Sequence, residues 1–374
     1  GDGRMDLLLT CDWGPIRYFH NTGGALQEKT ETTGLYNQWG WWNSIAASDI
    51  DHDGDIDYAV SNFGLNTKYH ASIKKPTRLF YGDFGNQGRE CVVEAEYEND
   101  TLYPVRGRSC SSHAMPFLFD KFKTYKGFAV ASLTDIYTPK TLSKSQQFAA
   151  SELRSGILVN DGKANFTFQP LPRIAQIAPA FGVDFCDIDG DGHDDLYLVQ
   201  NFHGPQPETG HMAGGVSQLL KGDGTGKFTP VRPDQSGLVV PGDATSLTRV
   251  DLDNDGWHEF VIGINNEKLM VFHNKNQTGH RSISVQLVGK KGNLHGVGSR
   301  ITVHLDDGSK QTAEVRAGSG YLSQNPPDAI FGLGAERQIF SIKVHWPNGT
   351  SSMVERPEPR KTLQIKHPDL TSGN

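Results

Sequence analysis

A nine-residue acidic motif occurs three times in this chain of 374 residues, each time directly before an apolar, β-prone stretch. The motif reads D-x-D-x-D-G-x-x-[DE] and spans residues 49–57, 187–195 and 251–259, which we name loop 1, loop 2 and loop 3. Carboxylates packed this closely repel one another strongly unless a cation neutralises them. The repeat therefore predicts a series of similar β units, each with a metal-binding loop. A solvated acidic loop is the alternative.

The spacing of the motif suits Ca²⁺, which takes six to eight oxygen ligands at about 2.3–2.6 Å. Positions 1, 3, 5 and 9 would supply side chains and position 7 a backbone carbonyl, while the glycine at position 6 permits the sharp turn. The predicted ligands are Asp49, Asp51, Asp53, Asp55 and Asp57 in loop 1, Asp187, Asp189, Asp191, His193 and Asp195 in loop 2, and Asp251, Asp253, Asp255, Trp257 and Glu259 in loop 3.

A truncated fourth copy of the motif opens the chain. Its candidate ligands are Asp2, Arg4 and Asp6, and three leucines follow it. The sequence thus predicts three complete Ca²⁺ sites and an incomplete one at the N-terminus. None of the complete copies is an EF-hand, because position 12 is Val60, Leu198 or Ile262 instead of glutamate and a β-prone segment follows each loop.

Turn signals recur after the loops. Segments 19–24, 158–166 and 220–228 read as strand, Asn/Asp/Gly turn and strand, which predicts β-hairpins. An asparagine just past each post-loop strand is predicted to cap a turn; these are Asn62, Asn201 and Asn265. Four-stranded units repeated radially make a β-propeller, so the predicted fold class is all-β.

The intervals between the loops differ. Loops 2 and 3 begin 64 residues apart, whereas loops 1 and 2 begin 138 residues apart. We expect the longer interval to hold at least one degenerate blade without a Ca²⁺ site, and the candidate segments are 78–88 and 128–135.

The repeats, with Phe181-Gly182 just upstream of loop 2, resemble the FG-GAP or VCBS repeats of integrin-α-type propellers. The region 279–367 resembles the ASPIC/UnbV domain found in the cartilage acidic protein family. The segments that carry this second resemblance are 296–301, 318–324, 331–334 and 344–349.

The resemblance implies a seven-bladed propeller over residues 1–278, whose first blade is truncated, and a small antiparallel β-sandwich or barrel over 279–367, with a tail at 368–374. It also implies a Ca²⁺-stabilised protein that is secreted, periplasmic or on the cell surface. Such a protein would bind carbohydrate, matrix or protein ligands and would have no established catalytic reaction.

The alternative is a carbohydrate-active enzyme, a polysaccharide lyase or hydrolase that uses the propeller's loop face. The chain has no H-E-x-x-H, G-x-S-x-G, Walker or Rossmann motif. Histidines in long loops could still act as acid or base, and these are His70, His113, His203 and His211. A lone loop histidine is usually only solvated, so we expect a protein without catalytic activity.

Aromatic residues offer a second candidate site. Trp39, Trp41 and Trp42 form a run that could stack on sugar rings, although packing between blades is the favoured interpretation. Tyr321, in a glycine-rich segment, could line a site, but a glycine-permitted bend is favoured there.

Net charge, apolar content and cysteine spacing limit which functional classes of protein the chain can belong to. The formal net charge of −7 argues against non-specific nucleic-acid binding. The chain has no apolar run of the ~20 residues needed to span a bilayer, so we expect no transmembrane segment. Cys91 and Cys110 could form a disulfide, and free thiols are the equal alternative.

Overall fold

The computed structural model describes residues 4–207, 209–358 and 361–370. Within them the chain is mostly β, and its N-terminal three quarters form small antiparallel sheets. The N-terminal sheet contains β1 (Leu7–Leu9), β3 (Arg17–Asn21) and β4 (Leu26–Glu28); β2 (Asp12–Pro15) pairs separately with β5 (Trp39–Trp41).

Each of loops 1, 2 and 3 joins the first two strands of one sheet, and its ninth residue begins the second strand. Sheet 1 contains β6 (Ser44–Ser48), β7 (Asp57–Ser61), β12 (Gly156–Asn160) and β13 (Phe166–Pro170). Sheet 2 contains β14 (Ala180–Cys186), β15 (Asp195–Gln200), β16 (Gln218–Gly222) and β17 (Phe228–Pro230). Sheet 3 contains β18 (Ala244–Val250), β19 (Glu259–Ile264) and β20 (Met270–Phe272).

These sheets pack against one another in chain order. The N-terminal sheet meets sheet 1 through a core that includes Tyr18 and Val60. Sheets 1 and 2 share a core around Ile157 and Leu196. Sheets 2 and 3 share another, in which the Tyr197 and Phe260 rings stack with centroids 5.0 Å apart. Sheets 1 and 2 therefore bury both faces between their neighbours, which explains why their strands are apolar on both sides.

The long interval between loops 1 and 2 is an insertion between β7 and β12 of sheet 1. It contains a sheet of β8 (Thr77–Gly82), β9 (Cys91–Glu98), β10 (Thr101–Pro104) and β11 (Gln146–Ala150). Its helices are α1 (Arg108–Ala114), α2 (Phe117–Lys121), α3 (Tyr125–Ala129), α4 (Leu133–Tyr137) and α5 (Pro139–Lys144). A short α6 (Pro233–Ser236) lies outside it, and 3-10 turns occur at Thr30–Thr32, Arg173–Gln176 and Pro368–Leu370.

The prediction of a degenerate blade strand at 128–135 is wrong, because this segment contributes to α3 and α4. Leu133, Ile136 and Tyr137 are buried at a helical spacing. A capping box between Ser132 and Asp135 begins α4. The segment 78–88 does form a strand and turn, but within the inserted sheet.

The C-terminal region forms two sheets around one apolar core that includes Val303 and Trp346. One contains β21 (Arg281–Val288), β24 (Asp328–Gly334) and β27 (Thr362–Lys366). The other contains β22 (Arg300–Leu305), β23 (Lys310–Glu314), β25 (Ile339–His345) and β26 (Ser351–Glu355). The expectation of an entirely antiparallel arrangement fails at one pair, since β21 and β27 are parallel.

Buried asparagines close the turns after the post-loop strands. The Asn62 side chain accepts from the backbone N–H groups of Trp41 and Phe63 and donates to the Glu152 carbonyl. Asn201, at a φ of 88°, donates to the Gly215 and Gly242 carbonyls. These bonds satisfy backbone groups that would otherwise be buried without partners.

All four cysteines are free thiols, so the disulfide alternative for Cys91 and Cys110 is not realised. The Cys91 thiol instead faces the Ala114 carbonyl of α1, with sulfur and oxygen 3.8 Å apart. Among the described residues, every helix is too short or too polar to cross a bilayer.

Candidate metal centres

Loop 1 brings Asp49, Asp51 and Asp53 together, with one carboxylate oxygen of each within 4.8 Å of the others. Backbone N–H groups curl the loop around these side chains. Gly54 donates to Asp49 at 3.2 Å, and Asp55 donates to Asp53 at 2.6 Å. Gly54 has a φ of 99°, a conformation that favours glycine, so position 6 makes the predicted sharp turn.

The buried carboxylates of loop 1 fit a cation. Asp49 and Asp57 are almost fully buried, and in each the Oδ2 atom has no hydrogen-bond partner among the described residues. Burial raises the pKa of Asp49 to about 6 and that of Asp57 to about 7, although backbone donors and, at Asp49, the Thr312 hydroxyl oppose the shift. Since an unpaired buried carboxylate is costly, a cation at this place would stabilise these oxygens.

Loop 2 converges through Asp187, Asp189 and Asp195. Asp191, the predicted position 5 ligand, lies 2.9 Å from Lys221 Nζ, which also contacts Asp189. Burial raises the pKa of Asp187 well above its usual range and that of Asp195 to about 7. Burial acts to lower the pKa of Lys221, but its hydrogen bonds with Asp189 and Asp191 outweigh this and raise it.

Loop 3 converges through Asp251, Asp253 and Asp255. Asp251 accepts hydrogen bonds from the Asp255 and Gly256 N–H groups, both at 3.0 Å. Glu259 is buried, accepts from the Leu252 N–H at 2.9 Å, and lies 3.0 Å from His273 Nδ1. The three clusters thus occupy equivalent positions in successive sheets.

The side chains at position 7 have neighbours other than the carboxylate clusters. Asp55 lies against Gly162, and Trp257 is buried against Gly190 of loop 2. His193 Nδ1 is 2.9 Å from His52 Nε2, so an imidazole pair links loops 2 and 1. The predicted role of position 7, which is to offer its backbone carbonyl oxygen as a metal ligand, does not depend on these side chains.

The truncated fourth copy does not form a cluster of three carboxylates within the described residues. Asp2 lies outside them, and Arg4 lies beside Gly23. Asp6 accepts from the Tyr18 hydroxyl at 2.5 Å and from the Asn21 N–H at 2.8 Å. The Asp6 carboxylate is therefore already paired with hydrogen-bond donors of the protein itself.

The tryptophan run is largely internal. Trp41 is 6% exposed and its ring contacts Trp13 and Phe63 edge to face, with centroids 4.7 and 4.8 Å apart. Trp42 is 3% exposed, and Trp39 is half-buried with its indole N–H on the Tyr36 carbonyl. The burial of Trp41 and Trp42 favours packing over a sugar platform.

Tyr321 lies where the C-terminal sheets meet sheets 2 and 3. Its half-buried ring is 5.1 Å from that of Phe181. Just after it, Asn325 accepts from the Arg249 N–H at 3.1 Å and donates to Asp184 at 2.8 Å. The segment around Tyr321 therefore anchors the C-terminal sheets to the repeat region.

The loop histidines proposed for catalysis do not converge on one site. His203 and His211 stack with centroids 4.5 Å apart. His113 is bonded to the Ser109 carbonyl within α1, and the His70 backbone N–H donates to Glu96. His203 and His211 therefore lie together, whereas His113 and His70 have other partners.

Sequence reasoning missed how the C-terminal sheets contact the metal loops. Lys310 Nζ donates to the Asp53 carbonyl of loop 1 at 2.9 Å, and the Gly334 N–H donates to the Gly190 carbonyl of loop 2 at 2.7 Å. The Ser282 hydroxyl donates to the Gly256 carbonyl of loop 3 at 2.7 Å. All three loops thus contact the C-terminal sheets. These contacts join residues far apart in the chain, so no local sequence pattern predicts them.

Comparison with known proteins agrees with the motifs at both ends of the chain. A family described as FG-GAP-like repeat matches residues 1–60, which include loop 1. The family described as ASPIC and UnbV matches residues 289–372. No curated protein matches the chain.

One solved structure with weak similarity is the crystal structure of the V. cholerae biofilm matrix protein Bap1. The identity is 10% over 95% of this chain and 60% of that chain, so the chain spans less than two thirds of that protein. The TM-score of 0.19 is too low for this match to carry an argument. The two family matches carry the assignment: this chain combines an N-terminal FG-GAP-like repeat with a C-terminal ASPIC and UnbV domain.

Proposed function

We propose that this protein is a Ca²⁺-stabilised binding module that is secreted, periplasmic or on the cell surface, and that its repeats form a propeller. The proposal rests on one observation: carboxylates converge at the same place in three successive sheets, and in loop 1 two buried carboxylate oxygens have no hydrogen-bond partner in the part of the chain that the structure describes. The packing of sheets in chain order supports the propeller, and seven blades stays a prediction.

Carboxylates at positions 1, 3, 5 and 9 would hold the cation in each loop, and Ca²⁺ would neutralise charge that burial otherwise makes costly. The loop residues themselves fix the positions of these carboxylates through backbone N–H donors. Each filled loop would then tie together the first two strands of its sheet. The role of the metal is therefore structural.

Metal removal tests this proposal. Protein stripped of divalent ions should unfold at a lower temperature than protein with excess Ca²⁺, because a ligand held at about 100 times its Kd stabilises a fold by about 2.7 kcal/mol. Calorimetric titration should show Ca²⁺ uptake, and Asp53→Asn should weaken it. Equal melting temperatures with chelator and with Ca²⁺ would refute the Ca²⁺ sites.

The ligand is proposed to be carbohydrate, matrix or protein, and one observation makes acidic carbohydrate the first choice to test. Residues 105–145, which include α1–α5, contain seven Lys and Arg residues in total but only two Asp and no Glu. The formal net charge of the whole chain, by contrast, is −7. Lys126 on α3, Lys140 on α5 and Lys123 between α2 and α3 are exposed. Positive charge in an otherwise acidic protein attracts an anionic polymer.

Binding of polygalacturonate, with dextran as the neutral control, should weaken at least tenfold in the double variant Lys123→Glu/Lys126→Glu. The matched control is Lys268→Glu/Lys291→Glu, which makes the same charge change at exposed positions outside these helices. Equal binding by both double variants would reject this surface. Ultraviolet absorbance of unsaturated uronates in the same samples would reveal the lyase alternative.

A further inference from the structure

One strand position faces the metal site in every copy of the repeat. In sheet 2, Leu220 pairs with Leu196, so the next pair places Lys221 opposite Asp195, the ninth loop residue. The same one-residue step places Val159 opposite Asp57 in sheet 1 and His273 opposite Glu259 in sheet 3. In the N-terminal sheet it places His20 opposite Asp6. We name this position the facing position.

The facing residue is a potential cation in three of the four copies, and there it contacts the loop's carboxylates. His20 Nδ1 lies 3.1 Å from Asp6. His273 Nδ1 lies 3.0 Å from Glu259 and 3.8 Å from Asp253. Lys221 bridges Asp189 and Asp191 of loop 2.

Loop 1 is the exception, because Val159 has no charge to offer. The ammonium group of Lys310 contacts loop 1, but it is bonded to the Asp53 backbone carbonyl. Loop 1 is also the copy in which Asp49 Oδ2 and Asp57 Oδ2 are buried without a hydrogen-bond partner among the described residues. In loop 2, backbone N–H groups and not Lys221 occupy both oxygens of Asp187 and of Asp195. What Val159 withholds from loop 1 is therefore a counter-ion of the kind that Lys221 gives to Asp189 and Asp191.

We propose that the facing residue sets the order of Ca²⁺ affinity, so that loop 1 is the tightest site and Lys221 competes with the metal in loop 2. Lys221 is a tethered counter-ion that uses two of the carboxylates a cation needs. Its side chain is 41% exposed, so it can move into solvent when Ca²⁺ enters. Loop 2 is then held together by lysine at low Ca²⁺ and by metal at high Ca²⁺, whereas loop 1 depends on the metal.

This inference rests on the proposed Ca²⁺ binding, and the variant Lys221→Val, which copies loop 1, tests it. Without the competing ammonium, one site should gain about five- to tenfold in Ca²⁺ affinity. The same variant should melt at a lower temperature than the wild type when both are stripped of metal, because loop 2 has lost its counter-ion. Calorimetric titration and thermal unfolding measure the two effects.

Matched variants separate competition from a general change of charge. Lys227→Val removes a lysine from the same hairpin at an exposed position and should leave both measurements unchanged. Val159→Lys should weaken the tightest site, while Val159→Met should not. Trp257, a residue of loop 3 that packs against Gly190 of loop 2, allows Tb³⁺ luminescence to follow these two sites.

The outcomes distinguish this inference from the proposed function. If the wild type takes up no Ca²⁺, the metal sites and the inference fail together. If it takes up Ca²⁺ but Lys221→Val neither raises affinity nor lowers the melting temperature of the stripped protein, only the inference is overturned. A change of equal size in Lys227→Val also overturns it.

Discussion

At the scale of single residues, the ninth position of each loop combines burial with a negative charge. Burial raises the pKa of both Asp57 and Asp195 to about 7 in the folded chain, against about 3.9 for an unfolded aspartate. A raised pKa means that folding favours the protonated form. The stabilisation from these groups is therefore complete below about pH 4 and is lost as pH rises through about 7.

The melting temperature of metal-stripped protein should accordingly fall as the pH rises from 4 to 7. The increase in melting temperature on adding Ca²⁺ should become larger over the same range. Asp57→Asn, which cannot ionise, should make the loss shallower. Differential scanning calorimetry of the stripped protein at several pH values measures both slopes. Identical slopes for the wild type and Asp57→Asn would contradict the assignment.

At the scale of elements, local patterns predicted the strands and loops that repeat. The nine-residue motif identified the three clusters, and Gly54 and its counterparts make the turns that the motif requires. The insertion was not predictable in the same way, because pairing between β7 and β12 joins residues about a hundred positions apart. Segment 128–135 has apolar residues at both strand and helix spacings, and only the capping box by Ser132 favours the helix.

The same limit applies to the metal sites. Spacing alone could place Asp187, Asp189 and Asp195 in one site, since they belong to one curled loop. It could not show that Lys221 binds Asp191, because Lys221 comes from a strand whose register is set by sheet packing. Comparison of the four copies does show one sequence signal for a counter-ion, since three of the four facing positions hold a basic residue.

At the scale of the whole molecule, the metal loops and the C-terminal domain form one structure. The connection between β20 and β21 lies across loop 2. Asn274 donates to the Ile188 carbonyl, and Thr278 and His280 bond the Asp189 carbonyl. The shape of loop 2 therefore also sets the position of the domain connection, and we expect Ca²⁺ in loop 2 to stabilise both.

Ca²⁺ removal should release this connection well below the melting temperature. Lys275 is exposed in it, so trypsin should cut after Lys275 several-fold faster in chelated protein than in Ca²⁺-loaded protein, because local opening exposes the backbone. Electrophoresis would follow the two fragments, 1–275 and 276–374, and Lys275→Gln should abolish them. Thr278→Ala, which removes one bond to loop 2, should speed cleavage even with Ca²⁺ present. A cleavage rate that does not depend on Ca²⁺ would show that the loops and the domain interface are energetically independent, since contact alone does not establish coupling.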